Sequence, residues 1–171
     1  MDITKWLIAY SDEPGRYYVV CLEHPRWYYI MDHVESDQGC EIQTRSFGSL
    51  ASGIGPEECF NEDFAEAAYG AFVSVLEWFS PLPVCSDESD PLPAPRWIFG
   101  TAPELSRDGR KLLAFRTDHP QHLPALFAFD DDGYFCDIES TVDDFSLEAQ
   151  EAFQLWTGAN DNEPSRLRFM P

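Results

Sequence analysis

Glu57 to Phe79, EECFNEDFAEAAYGAFVSVLEWF, is the stretch on which the fold of this chain turns. Phe60, Phe64, Ala67, Ala68, Ala71, Phe72, Val75, Leu76 and Phe79 recur at three- and four-residue steps, the spacing of one face of a helix of about six turns. Pro56 stands just ahead, where a missing N–H costs nothing, and Pro81 follows Ser80, where a helix cannot continue. Burying four Phe, one Leu and one Val at roughly 1.5–3 kcal/mol each supplies on the order of 10–15 kcal/mol before entropy is subtracted. The rest of the chain is expected to fold onto that stripe. The opposite face carries Glu57, Glu58, Glu62, Asp63, Glu66 and Glu77, with no Lys or Arg along the helix.

That one-sided sign runs through the molecule. The 171 residues hold 31 acids against 11 bases, a formal net charge of −20. Residues 46–95 contain nine acids and no base, and residues 117–165 twelve acids and no base. Acids in such windows pair with distant Arg, stay solvated, or meet a cationic partner. Arg96, Arg107, Arg110, Lys111 and Arg116 make 96–116 the cationic segment. At 44% apolar and 15% aromatic residues the composition is that of a folded core rather than a disordered chain. No apolar run is long enough to span a bilayer, and Met1 to Lys5 lacks a secretory pattern, so a soluble cytoplasmic protein is expected. Cys21, Cys40, Cys59, Cys85 and Cys136 show no C-x-x-C or zinc spacing and read as reduced thiols, with Cys21 and Cys136 buried in apolar runs.

Ile3 to Tyr10 reads as a strand or short helix, and Tyr17–Leu22 with Trp27–Met31 as an antiparallel hairpin covered on both faces. Glu35 to Gly55, polar and rich in Gly and Ser, reads as a loop. It fits neither phosphate-binding glycine pattern, and Glu57 and Glu58 would repel a phosphate at the helix start. Pro81, Pro83, Pro91, Pro93 and Pro95 mark 80–95 as an extended crossing. Trp97–Thr101, Lys111–Thr117, Leu126–Phe129 and Tyr134–Ile138 read as strands, with a turn at Ser106 to Gly109 and a tight turn at Asp130 to Gly133. Ser146 is the expected cap of a helix burying Ala149, Ala152, Phe153 and Trp156 and ended by Gly158, and Arg166 to Phe169 a possible sheet edge. The predicted fold is α+β: a mostly antiparallel sheet of about five to seven strands against a long central helix (57–79) and a C-terminal helix (146–157). A single domain, 1–171, is expected.

No motif names a reaction. Asp130, Asp132, Gly133 and Glu139 fall at positions of a calcium loop, but Ala128 stands where its first carboxylate belongs and the flanks are strands. His119 and His122 have no third ligand at useful spacing, and no G-x-S-x-G elbow exists. No cofactor is expected. Direct nucleic-acid binding needs a basic face and is excluded, and no membrane partner is expected. The inverse follows: crowded carboxylates complement a protein that itself binds nucleic acid, and such complementarity drives association toward about 10⁸–10⁹ M⁻¹s⁻¹ at low salt. The expected function is therefore an acidic inhibitor of a basic protein, such as a bacterial immunity protein that occludes a nuclease-like or other cationic toxin. The expected contacts are Asp130, Asp131, Asp132, Asp137, Glu139, Asp143 and Asp144, then Glu57, Glu58, Glu62, Asp63 and Glu66. The alternatives are a small enzyme or binding domain with a carboxylate-rich divalent metal site, and a halophilic housekeeping domain.

Overall fold

The computed structural model describes residues 5–11, 13–23, 27–50, 62–75, 84–86, 95–103, 105, 111–120, 122–130, 135–140 and 142–157. Runs rich in Tyr, Val, Ile, Leu and Phe become strands β1 (Trp6–Tyr10), β2 (Arg16–Cys21), β3 (Trp27–Ser36), β5 (Trp97–Thr101), β6 (Lys111–Arg116), β7 (Ala125–Phe129) and β8 (Phe135–Glu139). An eighth, β4 (Gly39–Ser49), occupies residues that the sequence reading assigned to a loop. The polarity of this segment marks a solvated edge strand rather than an absence of structure. Cys40, Glu41, Gln43 and Thr44 are exposed and Ile42 is half-buried, as suits the end of an outermost strand. Gly39, at φ 114°, closes the tight turn from β3.

The eight strands form one antiparallel sheet in the order β4-β3-β2-β1-β5-β6-β7-β8. Helix α1 (Glu62–Val75) follows the first four strands and α2 (Asp143–Thr157) the last four. Helix α1 is thus not central. It lies over β1 and β2, while α2 lies over β5 and β7. Its described length is 14 residues, and 57–61 and 76–79 of the expected span fall outside the described residues. Ala67, assigned by periodicity to the buried face, points to solvent. Helix α2 begins at Asp143, so Ser146 sits within its first turns and caps nothing. The Ser140 hydroxyl and the Val142 carbonyl organise the entry instead, the latter accepting from Phe145 N–H at 3.0 Å.

The chain therefore builds a ββββα unit twice. The helices share one pattern, D-F-x3-A-x2-A-F, whose Phe and Ala residues face the sheet and whose Asp is exposed: Asp63, Phe64, Ala68, Ala71 and Phe72 in α1, and Asp144, Phe145, Ala149, Ala152 and Phe153 in α2. The first strand of each unit opens with a Trp on the helix-bearing face, Trp6 and Trp97. Superposing these tryptophans maps Ala9 onto Gly100, and those two residues are register partners where β1 meets β5. An approximate two-fold axis, perpendicular to the sheet, runs through that pair. The backbones are pressed together there: a Cβ on Gly100 would lie 1.9 Å from the Ile8 carbonyl oxygen and 2.5 Å from Ala9 Cα.

Both helices cover the same face. Under α1, Ile8, Tyr17, Val19, Tyr29 and Met31 pack with Ala68, Phe72 and Val75, and Phe72 lies 4.9 Å from the Tyr17 ring. Under α2, Phe99, Leu112, Phe127 and Phe129 pack with Phe145, Ala149 and Phe153. Tyr10 and Trp156, 5.9 Å apart, join the two clusters. The opposite face buries Leu7, Val20, Ile30, Ile98, Leu113 and Phe115, so the middle of the sheet is dry on both sides, as the unbroken apolar runs predict. The 84–86 piece of the Pro-rich crossing lies beside β3, where Cys85 N–H donates to the His33 carbonyl at 2.7 Å. The rest of that crossing, the 106–109 turn and the 166–169 segment lie outside the described residues. Of the cysteines, Cys21 and Cys85 are buried. Cys136, expected in the core, is exposed because it is the extra residue of a bulge between β7 and β8.

Candidate functional site

The outward faces of the two helices make one acidic layer on one side of the sheet. Neither helix contains a Lys or Arg. Glu62, Asp63 and Glu66 are exposed on α1, and Asp144, Glu148 and Glu151 on α2. Apolar side chains interrupt these acids: Tyr69 and Val73 on α1, and Leu147 and Leu155 on α2 at 64% and 85% exposure.

The structure divides the acids that the sequence groups at 130–144. Asp137 and Glu139 on β8 stand opposite Ala128 and Leu126, and Leu126 belongs to the cluster on the face away from the helices. Asp144 lies on the helical side, with the sheet between it and them, and Asp143 opens the same helix. Asp130 is exposed at the end of β7. Instead, the fold brings Glu62, Asp63 and Glu66 onto the same side as Asp144. Asp131, Asp132, Glu57 and Glu58 lie outside the described residues.

Cations do not spread among these acids. Arg16 and Arg45 converge on Asp32: Arg16 grips it with two hydrogen bonds of 2.8 and 3.0 Å, and Arg45 Nε adds one of 3.0 Å. Asp32 is fully buried and Arg16 nearly so. Burial pushes the Asp32 carboxyl up, but hydrogen bonds and charge from both arginines outweigh it and hold it below the usual range. Arg16 and Asp32 are cross-strand neighbours, and Arg45 is the extra residue of a bulge in β4, so the sheet register assembles the triad. Sequence reasoning passed over it, although a charged residue ending each of two apolar runs, Arg16-Tyr-Tyr-Val-Val and Tyr-Tyr-Ile-Met-Asp32, was the available signal.

Arg116, nearly buried at the end of β6, binds Asp118 at 2.7 Å and Glu148 of α2 at 2.5 Å, and Arg96 joins Asp118 at 3.2 Å. Lys5 pairs with Glu23 at 3.7 Å. Among the described residues, Glu62, Glu66, Asp137, Glu139, Asp144 and Glu151 have no ion pair.

His119 and His122 stack with ring centroids 5.2 Å apart, and the rings of His122 and Phe145 meet nearly at right angles with centroids 5.3 Å apart. They pack the β6–β7 connection onto the start of α2. Among the described residues no three His, Cys, Asp or Glu side chains are grouped to hold a metal ion, and no helix is long and apolar enough to cross a membrane. Comparisons with protein-family models, with curated proteins and with solved structures each found no match to this chain.

Proposed function

We propose that this protein binds and occludes a basic protein partner, as an immunity protein does for a cationic, nuclease-like toxin. The observation that carries this reading is the helical layer, where acids from both units face outward on one side of the sheet with no basic residue in either helix. The described arginines of the sheet take little of that layer: Arg16 and Arg45 answer the buried Asp32, Arg96 answers Asp118, and Arg116, which shares Asp118, takes Glu148 alone among the helical acids. Like charge held open in this way repels nucleic acid and draws in proteins that bind it. Exposed Tyr and Leu among the acids provide the apolar contact that slows dissociation, which charge alone does little to change.

The test is copurification from the source cells at low salt and again at about 0.5 M, where screening extends over only a few ångströms. One basic protein is expected to be retained at low salt and weakened at high salt, and the purified pair should show loss of the partner's activity. Recovery of no basic protein under either condition would count decisively against the reading.

A further inference from the structure

The repeat supplies an internal control for what the fold demands of a helix on this sheet. Helices α1 and α2 hold the same seat with the same D-F-x3-A-x2-A-F pattern, whose Phe and Ala residues face the sheet, so outward differences between them are not imposed by packing. Aligned on that pattern, Leu147 falls where α1 has Glu66, and Leu155 where α1 has Ser74. Leu147, Glu151 and Leu155 follow at four-residue steps and rise along one line of the helix, with Asp144 on the same side one turn earlier. Both leucines are largely in water, at 64% and 85% exposure. By contrast, no large apolar side chain is exposed beside Asp137 and Glu139 among the described residues of β7 and β8.

We propose that this line is a docking ridge for an amphipathic, cationic helix of a partner protein. The two leucines seat between apolar side chains of that helix, and Asp144 and Glu151 meet its Lys or Arg. A helix is the fitting occupant because a ridge of residues at i, i+4 and i+8 packs into the groove between equivalent rows of another helix. The cationic character follows from charge complementarity, since α2 has no base of its own to answer these acids. The proposal rests on the reading of the protein as a binder of basic proteins and narrows it to one helix.

The probe is a synthetic amphipathic peptide with Leu on one helical face and Lys and Arg on the other, titrated calorimetrically at about 0.15 M salt. The double variant Leu147→Glu/Leu155→Ser installs the residues that α1 carries, so the fold tolerates it, and it adds negative charge. It is expected to bind the peptide at least about tenfold more weakly. The reciprocal variant Tyr69→Gln/Val73→Gln, carrying the residues of α2 at the aligned positions, is expected to stay within about twofold. Equal affinity for wild type and Leu147→Glu/Leu155→Ser, or no binding of the peptide by wild type, overturns the ridge. If the double variant nevertheless copurifies the same basic protein as wild type, the ridge alone has failed. If wild type copurifies none, the broader reading has failed with it.

Discussion

The two ββββα units share a skeleton and differ in where they place charge. In the N-terminal unit, the buried Arg16 and Asp32 and the partly exposed Arg45 form a triad on the face away from the helices. Carried through the repeat, Arg16 corresponds to Lys111 and Asp32 to Ala128, whose partner on β8 is Asp137. Lys111 and Asp137 are both exposed. The C-terminal unit places Arg116 on the other face, where it corresponds to the buried Cys21 and reaches up to Glu148 of α2. The difference teaches that this architecture needs apolar spacing and a tight seam, while charge is free to vary. The N-terminal unit uses charge as an internal brace, and the C-terminal unit keeps most of its charge at the surface.

The seam is where the comparison breaks most easily. Gly100→Ala would drive a methyl into the backbone of β1, and we expect it to cost more than about 4 kcal/mol, measured by chemical denaturation. Ala9→Gly, its symmetry mate, should cost only about 0.5–1 kcal/mol. Similar small losses for both would mean the axis carries no steric constraint. Next comes the triad. Asp32→Asn leaves the nearly buried Arg16 and the partly exposed Arg45 facing an uncharged group and should cost about 3–5 kcal/mol, against no more than about 0.5 kcal/mol for Asp137→Asn, the exposed acid opposite Ala128. The folded Asp32 carboxyl lies below its unfolded value of 3.8, so its contribution is in place above that pH and is lost as pH falls through the folded value. The variant should show a flatter acid limb of stability.

A smaller effect separates the units at high pH. Burial pushes the Tyr17 phenol up to about 12 from 10.0, and burial, with Tyr17 beside it, raises Tyr10 further. The folded state favours the neutral phenol, so this stability is complete below pH 10 and drains away as pH rises toward 12. Leu112 occupies the matching place in the C-terminal unit and cannot titrate. Tyr17→Phe should therefore remove on the order of 2 kcal/mol of alkaline loss; an unchanged slope between pH 10 and 12 would remove Tyr17 from the account. Smallest of all, Glu148→Ala breaks a half-exposed pair with Arg116 and should cost less than about 1 kcal/mol, shrinking further in salt.

Much of the fold was legible along the chain. Seven strands and both helices announced themselves through apolar runs or three- and four-residue steps, because those periods are consequences of backbone geometry alone. Strand β4 was harder, since only Ile42 and Phe47 among its apolar residues are half-buried and its other described residues are polar, exposed or glycine. The repeated D-F-x3-A-x2-A-F pattern also lay in plain view, but the strands of the two units share spacing rather than residues, which hides a repeat from inspection. The acids of the candidate surface could be counted but not placed. Asp137 and Asp144 are close in sequence, yet the chain turns from β8 into α2 between them and sets them on opposite sides of the sheet.

The sequence by itself determined the kinds of element, their order and a large unanswered negative charge. Local backbone periodicity and formal charge need no partner to be read. Tertiary structure alone decided that β1 and β5 adjoin, that both helices share a face, that Arg16 and Arg45 meet on Asp32, and that Leu147 and Leu155 stay in water. Backbone hydrogen bonds between strands form alike for almost any side chains. Which strands pair is therefore selected by steric fit between residues far apart in the chain, as at Ala9 and Gly100.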